Sequence, residues 1–164
     1  KGSKAELLFE DLVKRNNIEC FGAITAIKDV SKDKEYQKYG IDFILTCASG
    51  VNFRPAQEIY VDVKSDDWLG KTGNFCVEMF QVERTYMIKN AWFYYTKSDY
   101  GVYYAPHTNE WWIISLADLR QIHWNLAWRQ EIRTKINKNQ FAGKQMVCWL
   151  IPDEEVRKVA TILK

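Results

Sequence analysis

Two acidic residues and a lysine stand out in this sequence because they interrupt short hydrophobic segments. Asp42 is the charged residue within GIDFIL, and Asp62 and Lys64 alternate with valines in IYVDVKS. A β-strand turns successive side chains to opposite faces, so the valines share one face while Asp62 and Lys64 share the other. An antiparallel strand with one wet face would explain this alternation without any function.

The chemistry open to such a group depends on the two carboxylates lying close together. Residues 40–47 and 58–64 are predicted to form neighbouring strands, which would place Asp42 beside Asp62. Like charges in a partly buried place repel one another unless a cation neutralises them. Mg²⁺ takes oxygen ligands, commonly one or two carboxylates together with substrate phosphates. Lys64 could then steady an attacking water or the charge developing on a phosphate, so the pattern predicts a phosphodiester-cleaving site.

The spacing of these residues resembles the signature of the PD-(D/E)xK nuclease superfamily. GID, a spacer of about twenty residues and VDVK match its two strand elements, with Ile41 in place of the usual proline. The family often carries an acid on a preceding helix, and KGSKAELLFEDLVKRNN has Glu6 at that position. Later segments, from VEMF to LIPDEEV, loosely resemble small resolvase-like and phage-type endonucleases of this fold.

The resemblance implies a role for each matched residue. Asp42 and Asp62 would bind Mg²⁺, for which Mn²⁺ could substitute, with the Val63 carbonyl as a further ligand. Lys64 would orient the nucleophilic water, and Glu6 would hold a metal-bound water or a second ion. The expected catalytic residues are therefore Glu6, Asp42, Asp62 and Lys64.

Four more polar residues lie near this predicted site in the sequence. Glu78 in FCVEMF and Gln81 on the same predicted strand could line it, and an exposed strand acid is the alternative for Glu78. Asp66 and Asp67 directly follow the D-x-K strand, and we expect them to cap its loop rather than to bind metal.

A basic segment over residues 129–144 is the expected DNA surface. Its five basic residues face only Glu131, a balance that suits contacts to phosphates without reading of bases. Lys71 lies in the loop LGKTGN, close to the end of the D-x-K strand. The alternative for residues 129–144 is an ordinary solvated helix end. The alternative for the loop LGKTGN is a connection without a binding role. The expected nucleic-acid-binding residues are Lys71, Arg129, Arg133, Lys135, Lys138 and Lys144.

A second apolar surface is predicted on a helix over 116–135. Trp124, Trp128 and Ile132 would form it beside the main apolar stripe, as a buried face or as a surface for a partner. His123 lies within the stripe and is expected to be a core histidine rather than a catalytic base.

The elements that must position these residues follow from the hydrophobic periodicity. Residues 4–15 predict an amphipathic helix, and Ser115 with Asp118 predicts a capping box at the start of the helix over 116–135. Residues 90–100 fit either a strand or a short helix. Strands are predicted over 18–27, 40–47, 59–65, 74–82 and 146–151, with a hairpin around residues 106–110, loops over 28–39 and 136–144, and a final helix from Pro152.

This order predicts a mixed α/β (α+β) fold, with a central mixed sheet of about five or six strands flanked by helices. We expect a single domain over residues 1–164. The nuclease resemblance implies that the core is restriction-endonuclease-like.

The composition narrows the classes of protein. The chain is 47% hydrophobic and 15% aromatic, which excludes a disordered protein, and its net charge of +2 does not by itself indicate a nucleic-acid partner. No apolar run approaches the ~20 residues that span a bilayer, and no signal-peptide pattern is present, so no membrane partner is expected. Four cysteines without a C-x-x-C pair lie in apolar segments, which indicates buried free thiols and an intracellular, cytoplasmic setting.

The expected function is a Mg²⁺-dependent nuclease that hydrolyses duplex or branched DNA with a metal-activated water, as in DNA recombination or repair. Two alternatives stay open. One is a non-catalytic nuclease-fold module that binds nucleic acid or protein, and the other is a Holliday-junction resolvase acting as a homodimer. Convergence of the predicted catalytic residues on a divalent ion would favour the nuclease over the non-catalytic module. A two-fold partner surface would favour the resolvase.

Overall fold

The computed structural model of this chain describes residues 4–48, 56–82, 88–141 and 144–164. Its helices are α1 (Lys4–Arg15), α2 (Lys34–Gln37), α3 (Trp92–Tyr95), α4 (Leu116–Trp128) and α5 (Asp153–Arg157), with a 3₁₀ turn at Glu19–Phe21. Its strands are β1 (Ile24–Asp29), β2 (Phe43–Cys47), β3 (Gln57–Ser65), β4 (Asn74–Val82), β5 (Ile88–Asn90), β6 (Tyr100–Ala105), β7 (Glu110–Ser115), β8 (Arg133–Phe141), β9 (Lys144–Pro152) and β10 (Thr161–Leu163).

The large sheet has the order β1-β2-β3-β6-β7-β10 within the described part of the chain. Its strands pair antiparallel except for β3 and β6, which run in parallel. This six-stranded mixed sheet flanked by helices confirms the predicted fold class. The predicted neighbours β2 and β3 do pair, and Phe43 lies across from Val61.

Both faces of the large sheet are covered by apolar side chains. On one face, α1 packs its buried residues Ala5, Phe9 and Val13 against the sheet. Side chains alternate between the two faces, so Val61 and Val63 of β3 belong to the core under α1. Their neighbours in sequence, Asp62 and Lys64, therefore face the other layer.

That other layer contains a second, antiparallel sheet of order β5-β4-β9-β8 together with α3, α4 and α5. Its buried residues include Phe75 from β4 and Trp149 and Ile151 from β9, and they share one core with Tyr103 and Trp112 of the large sheet. The face of β3 that carries Asp62 and Lys64 therefore faces this second sheet.

The predicted helix over 116–135 is shorter in the structure. Its start is confirmed, because the Ser115 hydroxyl accepts a hydrogen bond from the Asp118 N–H at 3.0 Å. Its end was predicted wrongly, since Gln130 adopts a left-handed φ of 56° and the Glu131 N–H bonds back to the Leu126 carbonyl. Such an end is usually marked by glycine or asparagine, and this sequence has neither there. Ile132 thus lies beyond the helix and packs against the core.

Two further segment predictions were wrong. Residues 136–144 were expected to form a loop, but β8 and β9 pair across most of this region. β8 is the outer strand of its sheet, so it needs little apolar sequence, and Ile136 is 51% exposed. The final helix stops at Arg157, and the chain then forms β10 against β7, with Leu163 across from Trp111.

Smaller differences concern element ends. The strand predicted over 18–27 is a 3₁₀ turn followed by β1, and the loop over 28–39 contains α2. The strand predicted over 40–47 begins at Phe43, so Asp42 directly precedes it. The ambiguous segment over 90–100 contains α3.

Candidate functional site

Asp42 and Asp62 lie side by side on adjacent strands. Phe43, the first residue of β2, pairs with Val61 of β3, and Asp42 directly precedes Phe43. The Asp42 N–H donates to the Val61 carbonyl at 2.9 Å, one residue out of step with the ladder, and the Asp42 carboxylate accepts from the Val63 N–H, so Asp42 lies against the part of β3 that carries Asp62. The two carboxylates are close enough for the charge of Asp62 to raise the pKa of Asp42.

Each carboxylate is held by a neighbour. Asp42 Oδ2 accepts a hydrogen bond from the Val63 N–H at 2.8 Å. Lys64 Nζ lies 2.9 Å from Asp62 Oδ2, and the Asp62 side chain is only 7% exposed. This ion pair is close but poorly aligned for hydrogen bonding, which leaves the buried Oδ2 without a well-directed donor.

Burial and mutual repulsion disfavour negative charge here. Burial, with the Asp62 carboxylate as the next cause, raises the pKa of Asp42 to about 7. Burial also raises the pKa of Asp62, although the Lys64 ammonium opposes this. A site that resists carrying two negative charges by itself is one that an added cation would stabilise.

The Lys64 ammonium is set among acidic and aromatic groups. Burial lowers its pKa, but Asp62 and Glu78 more than offset this, so the pKa of Lys64 is raised and the side chain stays protonated at neutral pH. Its Nζ lies 4.9 Å from the centre of the Trp92 ring, within cation–π range. The side chain is 28% exposed, so one side remains open to the cleft described below.

A glycine on the neighbouring strand makes room for this arrangement. Gly101 of β6 pairs with Asp62. A Cβ atom at Gly101 would lie 3.0 Å from Tyr103 Cε2 and 3.2 Å from Trp92 Cη2, so a side chain at residue 101 would force these rings to shift by a few tenths of an ångström. The sequence analysis missed Trp92, Tyr103 and Gly101.

Glu6 acts on the pair through its charge. It is on α1, which covers the opposite face of the large sheet, yet its charge contributes to the raised pKa of Asp42 and of Asp62. Among the described residues, no three acidic, histidine or cysteine side chains come close enough together to hold one ion. The structure thus brings together Asp42, Asp62 and Lys64, with Glu6 within electrostatic reach.

A cleft between the two sheets opens beside Lys64. Glu78 of β4 lines it, so this acid is near the site rather than simply exposed on a strand. The pairing of β4 with β9 is irregular between Glu78 and Phe80, and Gln81 follows this irregularity. Gln81 is not among the described residues that line the cleft. The lining residues are Lys64, Ser65, Asp66, Asp67, Trp68, Cys76, Glu78, Tyr103 and Cys148.

Asp66 has the capping role that was predicted for it. Its Oδ1 accepts hydrogen bonds from the N–H groups of Trp68 at 2.8 Å and Leu69 at 3.2 Å. This fixes the turn that follows β3.

The described members of the predicted DNA-binding set have different partners. Arg129 is held by Glu131 at 3.1 Å and by Glu155 at 3.7 Å. Arg133 donates to Asn74 Oδ1 at 3.2 Å. The side chains of Lys138 and Lys144 lie outside the described part of the structure.

Lys71 and Lys135 converge on Trp68, which lines the cleft. Their Nζ atoms lie 5.8 Å and 5.9 Å from the centre of the Trp68 ring. These two lysines come from different elements, the loop after β3 and the strand β8, so sequence spacing alone could not pair them.

The predictions for the apolar face of α4 and for His123 can be compared with the exposure and packing of these side chains. Trp124 and Trp128 are 68% and 83% exposed on α4. His123 packs against Phe93 and Trp149, with ring centres 5.3 Å and 4.4 Å away, and burial lowers its pKa. His123 is therefore a packing residue, as expected.

Comparisons with known proteins add little to this description. No family model matches the chain, and no curated protein matches it. Among solved structures, the chain is similar to D212, a nuclease from a fusselovirus, with a TM-score of 0.40 and 12% identity over 92% of this chain and 79% of that one. A likeness this weak supports no inference about activity. Within the described residues, no helix has the length and apolar character needed to span a membrane.

Proposed function

We propose that this chain is a Mg²⁺-dependent nuclease of the PD-(D/E)xK type that hydrolyses DNA phosphodiester bonds. The observation that carries the proposal is the proximity of the Asp42 and Asp62 carboxylates, with Lys64 Nζ 2.9 Å from Asp62. The three residues combine what metal-dependent phosphodiester hydrolysis needs, namely oxygen ligands and a nearby cation.

The side chains fit a hard divalent cation. Both donors are carboxylates, both have raised pKa values, and the buried Asp62 Oδ2 lacks a well-directed hydrogen-bond donor. Asp42 and Asp62 would hold the ion, with the Val63 carbonyl as a proposed further ligand. When bound, Mg²⁺, or Mn²⁺ in its place, would polarise the phosphate and neutralise its charge.

The protein's own residues would act around this ion. Lys64, protonated at neutral pH, would orient the attacking water and stabilise negative charge on the phosphoryl oxygens. Trp92 and Gly101 would fix the position of Lys64 through packing. Glu6 of α1, whose charge acts on both carboxylates, would hold a metal-bound water or a second ion.

The substrate would enter along the cleft between the sheets. Lys71 and Lys135 lie beside Trp68, which lines the cleft, and they would contact phosphates together with Arg133. The proposal includes duplex or branched DNA as substrate, a role in recombination or repair and an intracellular setting. The four cysteines are free thiols, in keeping with that setting.

A magnesium titration on a panel of linear, circular and branched DNA would test the proposal. We expect cleavage that depends on Mg²⁺ in the wild-type protein and is lost in Asp62→Asn. Asp11→Asn changes an exposed carboxylate on α1 and is the matched control, which should cleave normally. Mg²⁺ binding measured by calorimetry should weaken in Asp62→Asn and not in Asp11→Asn. Metal-independent cleavage, or full activity in Asp62→Asn, would refute the mechanism.

The second candidate is a non-catalytic module of the same architecture. The observation that favours it is the lack of a third acidic ligand beside Asp42 and Asp62 among the described residues. Tight DNA binding without cleavage at any Mg²⁺ or Mn²⁺ concentration would support this candidate. Selective cleavage of the four-way junction by a dimer would instead support the resolvase alternative.

A further inference from the structure

We propose that Trp68, Lys71 and Lys135 form a binding subsite for an unpaired nucleotide at the rim of the cleft. We call these three residues the Trp68 subsite. The proposal rests on the proposed nuclease function, since it identifies the part of the substrate that the same cleft would hold.

Trp68 is an exposed residue in an anchored turn. Its side chain is 64% exposed, whereas the next residue, Leu69, is fully buried in the core. The Asp66 carboxylate accepts from the Trp68 and Leu69 N–H groups, and the Lys71 N–H donates to the Trp68 carbonyl at 3.0 Å. The backbone is thus fixed while the indole points outward, an exposure that contributes nothing to the core.

The turn that carries Trp68 also packs against the turn between β6 and β7. Gly70 has a left-handed φ of 79°, and a Cβ atom there would lie 3.2 Å from Thr108 Cγ2 in the turn between β6 and β7. The loop therefore rests against the large sheet, which fixes the position of the indole relative to Lys64. Pre-organised aromatic surfaces lose little conformational entropy when a ligand binds.

Two cations flank the indole without covering it. Lys71 and Lys135 lie 5.8 Å and 5.9 Å from the ring centre, close to the outer limit of about 6 Å for a cation–π contact. Lysine side chains held this loosely can turn toward phosphates while the ring accepts a base. Asp66 and Asp67 line the cleft as well, so the phosphates would lie on the lysine side.

This combination of groups suits a single strand rather than a duplex. Aromatic side chains stack on bases of any sequence, and lysines follow the backbone. A base inside a duplex is already stacked and paired, so it cannot lie on the indole. Because Trp68 and Lys64 line one cleft, the stacked nucleotide would lie next to the phosphate that is cleaved.

Fluorescence anisotropy in EDTA tests the subsite apart from catalysis. The probes are a labelled short oligothymidylate and a labelled duplex. We expect Trp68→Ala to weaken oligothymidylate binding roughly 5- to 150-fold, while duplex binding is unchanged. Trp68→Phe should retain most of the affinity. Trp124→Ala, which removes an indole that is 68% exposed on α4, is the matched control and should bind both probes normally.

The salt dependence separates the lysines from the indole. Replacing Lys71 and Lys135 with Ala should lower the salt slope of the binding constant by about 1.4 for the single strand, since each phosphate contact contributes about 0.7. Trp68→Ala should leave this slope unchanged because the indole carries no charge. Circular dichroism would establish that each variant is folded.

The outcomes distinguish the subsite from the nuclease proposal. If the wild-type protein cleaves DNA but Trp68→Ala binds the oligothymidylate normally, the subsite is refuted and the nuclease function stands. Equal losses for duplex and single strand would also refute it, because stacking on an unpaired base would not be the cause. A wild-type protein that neither binds nor cleaves DNA would overturn both proposals.

Discussion

At the scale of the residue, the site depends on how Lys64 is held. The ammonium lies between the Asp62 carboxylate and the Trp92 ring, and the neighbouring acids keep it protonated. A protonated lysine cannot accept the proton of the attacking water. Its contribution must therefore come from its charge and from the hydrogen bonds that it donates.

We predict that Lys64→Ala lowers the single-turnover cleavage rate by at least about 100-fold, the cost of losing one preorganised donor. DNA affinity in EDTA should stay close to that of the wild-type protein, because the residue is assigned to the chemical step. Quenched-flow measurements at saturating DNA would give the rate, with Lys97→Ala, an exposed lysine stacked on Tyr39, as the control. Wild-type turnover in Lys64→Ala would contradict the assignment.

Asp42 should make the stability of the metal-free protein depend on pH. Its pKa is about 7 in the folded chain, above the value of 3.8 that is usual for an aspartate, so the folded state binds the proton more tightly than the unfolded state. This group therefore stabilises the fold below its unfolded pKa, and that stabilisation is lost as the pH rises through about 7.

Asp42→Asn removes this titration, so its stability relative to the wild-type protein should improve between pH 5 and pH 8. The gain is limited to about 1.4 kcal/mol per pH unit for one proton. Urea denaturation of both proteins in EDTA at several pH values would measure it. A stability difference that does not change with pH would show that Asp42 ionises normally.

At the scale of the element, the sequence predicts features that are determined locally. The D-x-K strand alternates regularly over β3, and β2 is its neighbour as predicted, so the proximity of Asp42 and Asp62 could be inferred. Glu78 could be proposed from the sequence as a lining residue, whereas Trp92 could be placed at the site only from the packing of α3 over that face. The end of α4 was missed because Gln130 adopts a left-handed conformation that its residue type does not favour.

The capping residue of α4 gives a prediction at this scale. Ser115→Ala removes the acceptor for the Asp118 N–H and should lower the free energy of unfolding by about 1 kcal/mol. Ser115→Thr keeps a hydroxyl that can accept from the Asp118 N–H and donate to the Asp118 carboxylate, and should restore most of the loss. Urea denaturation of the three proteins would measure both effects. A full loss in Ser115→Thr would show that capping is not the cause.

At the scale of the whole molecule, the second sheet is part of the main core. Phe75 and Trp149 from that sheet pack with Tyr103 and Trp112 of the large sheet, and the ring centres of Phe75 and Tyr103 are 4.4 Å apart. The predicted single domain should therefore unfold as one cooperative unit.

Ile151→Ala provides the test, because Ile151 lies on β9 and is fully buried. Removing its side chain should cost about 2–5 kcal/mol. Far-ultraviolet circular dichroism and tryptophan fluorescence should nevertheless report the same urea midpoint, shifted by the same amount. Ile136→Ala, at a half-exposed position on β8, should change little. Two separate transitions would show that the sheets fold independently.

The glycine at position 101 has a consequence for recognising distant relatives of this chain. Gly101 lies across the parallel strand pair from Asp62, and any side chain there would displace the indole of Trp92 on which Lys64 rests. Pairwise identity can fall to background while this steric requirement persists. We therefore expect homologues that retain the D-x-K lysine over a tryptophan to retain a glycine opposite the aspartate. The three charged residues alone are too common to identify a relative. A search that combines the D-x-K strand with a glycine on the next parallel strand would add this steric requirement and be more specific.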